Sequence, residues 1–352
     1  MILDDWQSFS ELDPGGMLSE IERLPDQLQE AWELGNSLPL PEWTGFQQIV
    51  IAGMGGSAIG GDLLRSYALP TAPVPVIVWR NYGLPAFAQG SKTLIICSSH
   101  SGNTEEVLSA FDKAVEVEAQ ILVVTRGGEL GTRALREGIP HWAFQHQGQP
   151  RAAVGYSFGL LLAALSRLGI IPDPTAELSD AINQMRKIQE KIGIKLPAVN
   201  NPAKRLAGQF MGRWSTIIGA DHLTPVARRW RTQISEIAKA VAQFEELPEA
   251  DHNMVAGIEM PEVVFGNTMV LFLRGNGYHP RNLARTDATK QLFMLEGMNT
   301  NMLQASGESR MAEQWTSLHF GDYVAYYLAM AYGVDPTPVH AIEDLKRQLL
   351  DT

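Results

Sequence analysis

Short apolar runs and amphipathic stretches alternate along the first half of the chain. Ile49–Ala52, Val76–Trp79, Leu94–Cys97 and Ile121–Val124 are almost uninterrupted in apolar character, as strands covered on both faces are. Helical segments at 58–68 and 104–116 lie between them. This alternation predicts a parallel sheet with helices on both faces. Ahead of it, Met17, Ile21, Leu24, Leu28, Ala31 and Trp32 recur at helical spacing and predict an amphipathic helix over 17–35. A helix-like run at 152–168 leaves the sheet region, and a polar helix near 175–193 ends at Pro197-Ala-Val-Asn-Asn-Pro202. The second half repeats the architecture without repeating the residues. Thr216–Ala220 and Met269–Gly275 read as strands running into turns, and helices near 286–297 and 310–331 alternate with a strand-like run at 300–305. A closing amphipathic helix, Ala341–Leu350, follows the stiff Asp335-Pro-Thr-Pro338. The pattern predicts an N-terminal helical segment at 1–44, a first α/β domain at 45–170, a helical linker at 171–203 and a second α/β domain with a C-terminal helix at 204–352.

Two turns stand out against this frame. Ile49-Val-Ile-Ala-Gly-Met-Gly-Gly-Ser57 and Thr93-Leu-Ile-Ile-Cys-Ser-Ser-His-Ser-Gly-Asn-Thr104 each carry a strand into the start of a helix. Unsatisfied backbone amides and the positive end of the helix dipole attract an anion there. Gly55 and Gly56 allow close approach of the backbone, while Ser57, Ser99, Ser101 and Thr104 add neutral donors. No lysine lies in either turn, which favours a small phosphate ester over a nucleoside triphosphate held with magnesium. Gly53-Met-Gly-Gly-Ser-Ala58 also fits the loose dinucleotide pattern. The next strand, however, ends in Arg80-Asn81 where a nicotinamide-binding unit should carry an acid. The turns of the second half lack this hydroxyl density, so the phosphate belongs to the first domain.

Composition narrows the partners. With 28 basic and 39 acidic side chains the formal charge is -11, which disfavours nucleic acid and anionic membrane surfaces. The single cysteine, Cys97, rules out an intrachain disulfide and a multi-cysteine metal site and reads as a buried structural thiol in a reducing compartment. The N-terminus has no basic region ahead of an apolar run, and no stretch approaches the roughly 18 apolar residues that span a bilayer, so a cytoplasmic protein is expected. On spacing alone, Trp230, Ile234, Ile237 and Val241 form the buried stripe of a helix begun by Thr224-Pro225, leaving Gln233, Glu236 and Lys239 off it. By the same reading Glu236 is a solvated face residue, His252 lies in an exposed polar loop, and Lys346 pairs with Glu343 on a helix surface, while Arg151, at a helix start that disfavours a cation, is as readily a merely solvated side chain as a functional one.

The pair of turns resembles the sugar-isomerase (SIS) domain, a flavodoxin-like sugar-phosphate-binding fold, and two such domains in tandem resemble the phosphoglucose isomerase superfamily. Pro150-Arg-Ala-Ala153, Trp230-Arg-Thr-Gln-Ile-Ser-Glu-Ile-Ala-Lys239, Asp251-His-Asn253 and Gly333-Val-Asp-Pro-Thr-Pro-Val339 before Lys346 are similar to the bifunctional phosphoglucose/phosphomannose isomerases, from about residue 45 onward. The resemblance implies that Glu236 is the general base moving a proton between C2 and C1 of the open-chain sugar. It implies further that His252 and Lys346 assist ring opening, that Arg151 stabilises the enediolate, and that Thr337 widens the site for the mannose configuration. It implies hexose 6-phosphates as substrates, no cofactor and no metal, and a homodimer whose sites are shared, with the ring-opening histidine coming from the neighbouring subunit. Two alternatives remain at this point: a non-catalytic sugar-phosphate-binding protein, and an amino-sugar phosphate isomerase.

Overall fold

A computed structural model describes residues 2–350. Met1, Asp351 and Thr352, which the expected outer segments include, lie outside the described residues. Helices α1 (Phe9–Leu12), α2 (Met17–Glu22) and α3 (Leu24–Ser37) come first. Then β1 (Gln48–Ala52), α4 (Gly55–Ala68), β2 (Val76–Trp79), β3 (Thr93–Ser99), α5 (Glu105–Glu116), β4 (Gln120–Thr125), α6 (Gly128–Arg136) and β5 (His141–Ala143) alternate. A 3-10 turn at Pro150–Ala152 leads into α7 (Val154–Arg167) and α8 (Thr175–Ile192). The rest comprises α9 (Pro202–Phe210), β6 (Trp214–Ala220), α10 (Thr224–Ile237), β7 (Ala242–Leu247), β8 (Thr268–Arg274), α11 (Pro280–Leu295), β9 (Asn299–Gln304), α12 (Arg310–Tyr332) and α13 (His340–Leu350).

Two compact units result. One consists of Met1–Glu22, Lys187–Ala305 and Thr316–Thr352, the other of Arg23–Arg186 and Ser306–Trp315. The expected helix over 17–35 is broken at Arg23, where Pro25 begins a new helix. In the Arg23–Arg186 unit a parallel five-stranded sheet runs in the order β2-β1-β3-β4-β5. Its strands are apolar because both faces are covered: Val50, Ile95, Cys97, Ile121 and Val123 pack with Val107, Phe111, Ala114 and Leu130 on one, and Ile51 lies against α4 on the other, where a Cβ at Gly61 would stand 3.1 Å from it. Order 2-1-3-4-5 reverses direction between β1 and β3, the place where open α/β sheets bind ligands.

The other unit carries a parallel four-stranded sheet in the order β7-β6-β8-β9. Its two faces are covered by different segments, and the side chains of β6 tell them apart. Gly219 backs onto α10, where an added Cβ would stand 3.1 Å from Ala227, and Arg228 of α10 lies over Phe244, the β7 residue in register with Ile217. The alternate positions Trp214, Thr216, Gln243, Thr268 and Val270 line a groove of about 450 Å³ with Met254, Met260 and Phe265. The segment after β7 therefore covers the face opposite α10.

On the α10 face, Trp230, Ile234 and Ile237 are buried as expected. Gln233 is buried too, against the expectation, because it hydrogen-bonds the Asp322 carboxylate of α12. Asp322 also forms a buried ion pair with Arg229 at 2.8 Å, and burial pushes its carboxyl above the usual range even so. Val241 corrects the stripe in the other direction: it is exposed, since α10 ends at Ile237. Thr224 is already helical and Leu223 takes the cap position.

Candidate functional site

Strands β1 and β3 are hydrogen-bonded neighbours, with Ala52 opposite Cys97, so the two Ser/Gly turns leave the same edge of the sheet side by side. Gly55 opens α4 with φ of +50°, a left-handed conformation that disfavours any side chain. Gly56 is needed for a different reason: a Cβ there would stand 2.7 Å from the Pro150 carbonyl oxygen and 3.4 Å from the Arg151 Cα. The first turn and the Arg151 turn are thus in contact, and the buried Ser57 and the buried Arg151 (3% exposed) belong to one local structure.

The second turn is braced from within. Ser99 Oγ accepts the Gly102 amide at 3.1 Å and lies 2.9 Å from Thr104 Oγ1. Thr104 takes the N-cap position of α5 without using its hydroxyl as a cap. Ser101 is exposed and its Oγ accepts the Asn103 amide at 3.2 Å. From outside, α6 completes the turn: Asn103 Oδ1 accepts the Glu129 amide at 2.9 Å and the Gly102 carbonyl accepts the Leu130 amide at 2.9 Å. Arg80, at the end of β2, pairs with Asp62 of α4, so a guanidinium occupies the place where a dinucleotide site would present an acid. This unit therefore gathers Gly55, Gly56, Ser57, Ser99, Ser101, Thr104 and Arg151 around one sheet edge.

The remaining candidates lie in the other unit. Glu236 is half-buried in the last turn of α10. Lys239, in left-handed conformation with φ of +57°, turns its Nζ back to donate to the Glu236 carbonyl at 2.5 Å, with the Pro336 carbonyl at 3.4 Å. That link joins the Glu236 end of α10 to the turn holding Thr337, whose amide is accepted by Asp335 Oδ1 at 2.8 Å. His252 is exposed at the end of a 3-10 turn, Glu249–His252, and its neighbour Asp251 anchors that turn to α11. Arg285 Nη1 donates to one Asp251 oxygen at 2.8 Å and Thr289 Oγ1 to the other at 2.7 Å. α10 covers one face of the sheet and the segment from Asn253 onward the other, and Glu236 precedes the six-residue strand β7 while His252 follows its far end, so the two lie apart in one chain. Lys346 is exposed on α13 and makes no ion pair among the described residues; Glu343 faces His340 at 3.4 Å instead. Sequence reasoning missed the parts played by Lys239 and Asp251, because neither a left-handed lysine nor a bond to a distant helix leaves a local signal.

Among the described residues no group of three His, Cys, Asp or Glu side chains is placed to hold a metal ion, and no helix is long and apolar enough to cross a membrane.

Comparison with known proteins agrees with this architecture. Residues 199–349 match the bacterial phospho-glucose isomerase C-terminal SIS domain. A hypothetical protein from Thermus thermophilus has the same fold, with a TM-score of 0.73 at 18% identity over 100% of this chain and 94% of that one. Two parallel sheets flanked by helices, the second matched to a SIS domain, define a protein of the SIS class. At sequence level, a bifunctional phosphoglucose/phosphomannose isomerase of Caldicellulosiruptor bescii is 38% identical over 95% of this chain and 99% of its own. One from Aquifex aeolicus is 33% identical over 87% and 91%. The chain belongs to the bifunctional phosphoglucose/phosphomannose isomerase family.

Proposed function

We propose that this protein interconverts glucose 6-phosphate and mannose 6-phosphate with fructose 6-phosphate through a cis-enediolate. The observation that carries the reading is the 38% identity to a bifunctional phosphoglucose/phosphomannose isomerase along 95% of the chain. The two adjoining turns add a physical reason: backbone amides at two helix starts, with hydroxyls and without lysine, suit a phosphate monoester. In this reading Gly55, Gly56, Ser57, Ser99, Ser101 and Thr104 hold the phosphate. Binding of that remote group supplies energy for orienting the reacting carbons.

Glu236 acts as general base on the open-chain aldose. Its carboxylate takes the proton from C2 and returns it to C1, while a hydroxyl proton passes from O2 to O1, so the product has the same composition as the substrate. Arg151 offsets the negative charge that gathers on the enediolate oxygens. His252 and Lys346 exchange protons with the ring oxygen and the anomeric hydroxyl during ring opening. Acceptance of the C2 epimer requires the planar enediolate to be reprotonated on either face, with Thr337 leaving room for it to turn. The protein works as a homodimer in the cytoplasm, in the carbohydrate metabolism that glycolysis and gluconeogenesis share. His252 of one subunit serves Glu236 of the other, an arrangement supported by their places in one chain, Glu236 ahead of β7 and His252 beyond its far end.

A coupled assay with each aldose phosphate tests the reading, and both should yield fructose 6-phosphate. Turnover of glucose 6-phosphate alone removes the mannose part, and turnover of neither overturns the whole. The phosphate assignment has its own check. Ser99→Ala combined with Ser101→Ala should weaken binding of sugar phosphates by about 1.5–3 kcal/mol for each hydrogen bond lost to the charged group. Unchanged affinity by calorimetry places the phosphate elsewhere.

A further inference from the structure

His100 sits at the centre of the second turn, between Ser99 and Ser101, and its ring is buried. Its Nε2 lies 2.9 Å from Nδ1 of His146, with the two rings edge to face. A bond between imidazole nitrogens requires one ring to donate and the other to accept. His146 belongs to the segment that leaves β5 and reaches the Pro150–Ala152 turn, so this bond ties the phosphate turn to the strap that carries Arg151. Phe144 and Tyr156, stacked at 5.2 Å, flank the pair: His100 meets Phe144 edge-on at 5.8 Å and the half-buried His146 lies 5.9 Å from Tyr156.

Linked imidazoles respond to protons in two unlike steps. One added proton leaves a charge-assisted N–H···N bond in place. A second puts hydrogen on both facing nitrogens, breaks the bond and sets two like charges together. The singly charged pair is therefore the state a nearby dianion favours. Several other charged and titratable groups surround the pair. Arg126, beyond β4, donates from Nη1 to the His146 carbonyl at 2.9 Å. Tyr156 of α7 donates its hydroxyl to the Glu30 carboxylate of α3, and Glu30 in turn lies 3.5 Å from Arg23. Ser99 and Ser101 contribute only neutral hydroxyls from the turn itself.

We propose that His100 and His146 form a proton-accepting positioning pair for the phosphate site: binding of a phosphate dianion draws one proton onto the pair, and their shared hydrogen bond holds the turn against the Arg151 strap. The proposal rests on the reading of the two turns as the phosphate cradle.

The test uses sorbitol 6-phosphate, which lacks the carbonyl and cannot isomerise. Its binding to the full-length protein is measured calorimetrically at about pH 7 in buffers of different ionisation enthalpy. Wild type should take up a fraction of a proton. Its affinity should tighten roughly fivefold between about pH 8.5 and pH 7, the effect of one charge acting across a partly buried gap. His146→Asn keeps a hydrogen-bonding atom near Nδ1 and His100→Gln keeps one near Nε2, but neither amide titrates. The double variant should lose both the uptake and the pH dependence, and each single variant should lose part of them. Equal uptake in wild type and double variant would place the proton on the ligand's own phosphate and overturn the proposal alone. Failure of wild type to bind sorbitol 6-phosphate overturns the cradle and the proposal together.

Discussion

Glu236→Gln will leave sugar phosphate binding in place and lower kcat by roughly 10²–10⁴, the usual contribution of a positioned acid or base. Glutamine has the shape of glutamate but cannot accept the C2 proton. The change is confined to the end of a half-buried side chain, while the main-chain link from Lys239 Nζ to the Glu236 carbonyl is untouched. Two measurements belong together here, turnover and incorporation of solvent deuterium at C2. Both depend on the same proton transfer, so both should fall in parallel. Persistence of both near wild-type rates would make Glu236 a surface residue of α10.

Mixing inactive Glu236→Gln and His252→Ala proteins will restore activity. Within one chain α10 covers one face of the second sheet, and the segment following His252 covers the other, with Asp251 fixed to α11. In the proposed homodimer the two-fold interface repeats each contact twice, so that His252 of one subunit faces Glu236 of its partner. In a mixed dimer both lesions fall into one site and the other site is intact. After gentle unfolding and refolding about half the dimers should be mixed, each with one good site, so activity should recover to roughly a quarter of wild type. No recovery despite demonstrated subunit exchange would assign both residues of each site to one chain.

What can be read from the sequence follows from how local each signal is. The first-sheet strands announce themselves because both faces are buried, and the two turns because every donor lies within a few residues of a strand end. Strand β7, Ala-Gln-Phe-Glu-Glu-Leu, escapes the pattern: it is an edge strand, only partly covered, and its residues carry no apolar run. Strand β5 is three residues long, and α9 follows directly on the Pro/Asn segment that reads as a linker. The stripe on α10 fails at two positions for separate reasons. Gln233 satisfies a buried carboxylate on a distant helix, which periodicity counts as solvent exposure; Val241 continues a spacing that the backbone has abandoned at Lys239. Glu236, His252, Lys346 and Thr337 come into view only through resemblance. The separation of Glu236 from His252 lies in β7, which Glu236 precedes and His252 follows at its far end, and that strand leaves no apolar run in the sequence.

Cys97 gives the first sheet a built-in clock. The chain's single thiol is wholly buried in β3, and burial pushes its pKa up to about 12. Alkylating reagents attack the thiolate, and in the closed sheet there is neither thiolate nor access. Every labelling event in native buffer must then record a moment when β3 was uncovered, so the labelling rate measures the opening equilibrium of this sheet without a spectroscopic probe. Because β3 ends at Ser99 and runs straight into the turn that closes at Thr104, a phosphate ester that grips the turn should slow the clock. Ligand affinity would thereby be readable from a residue that never touches the ligand.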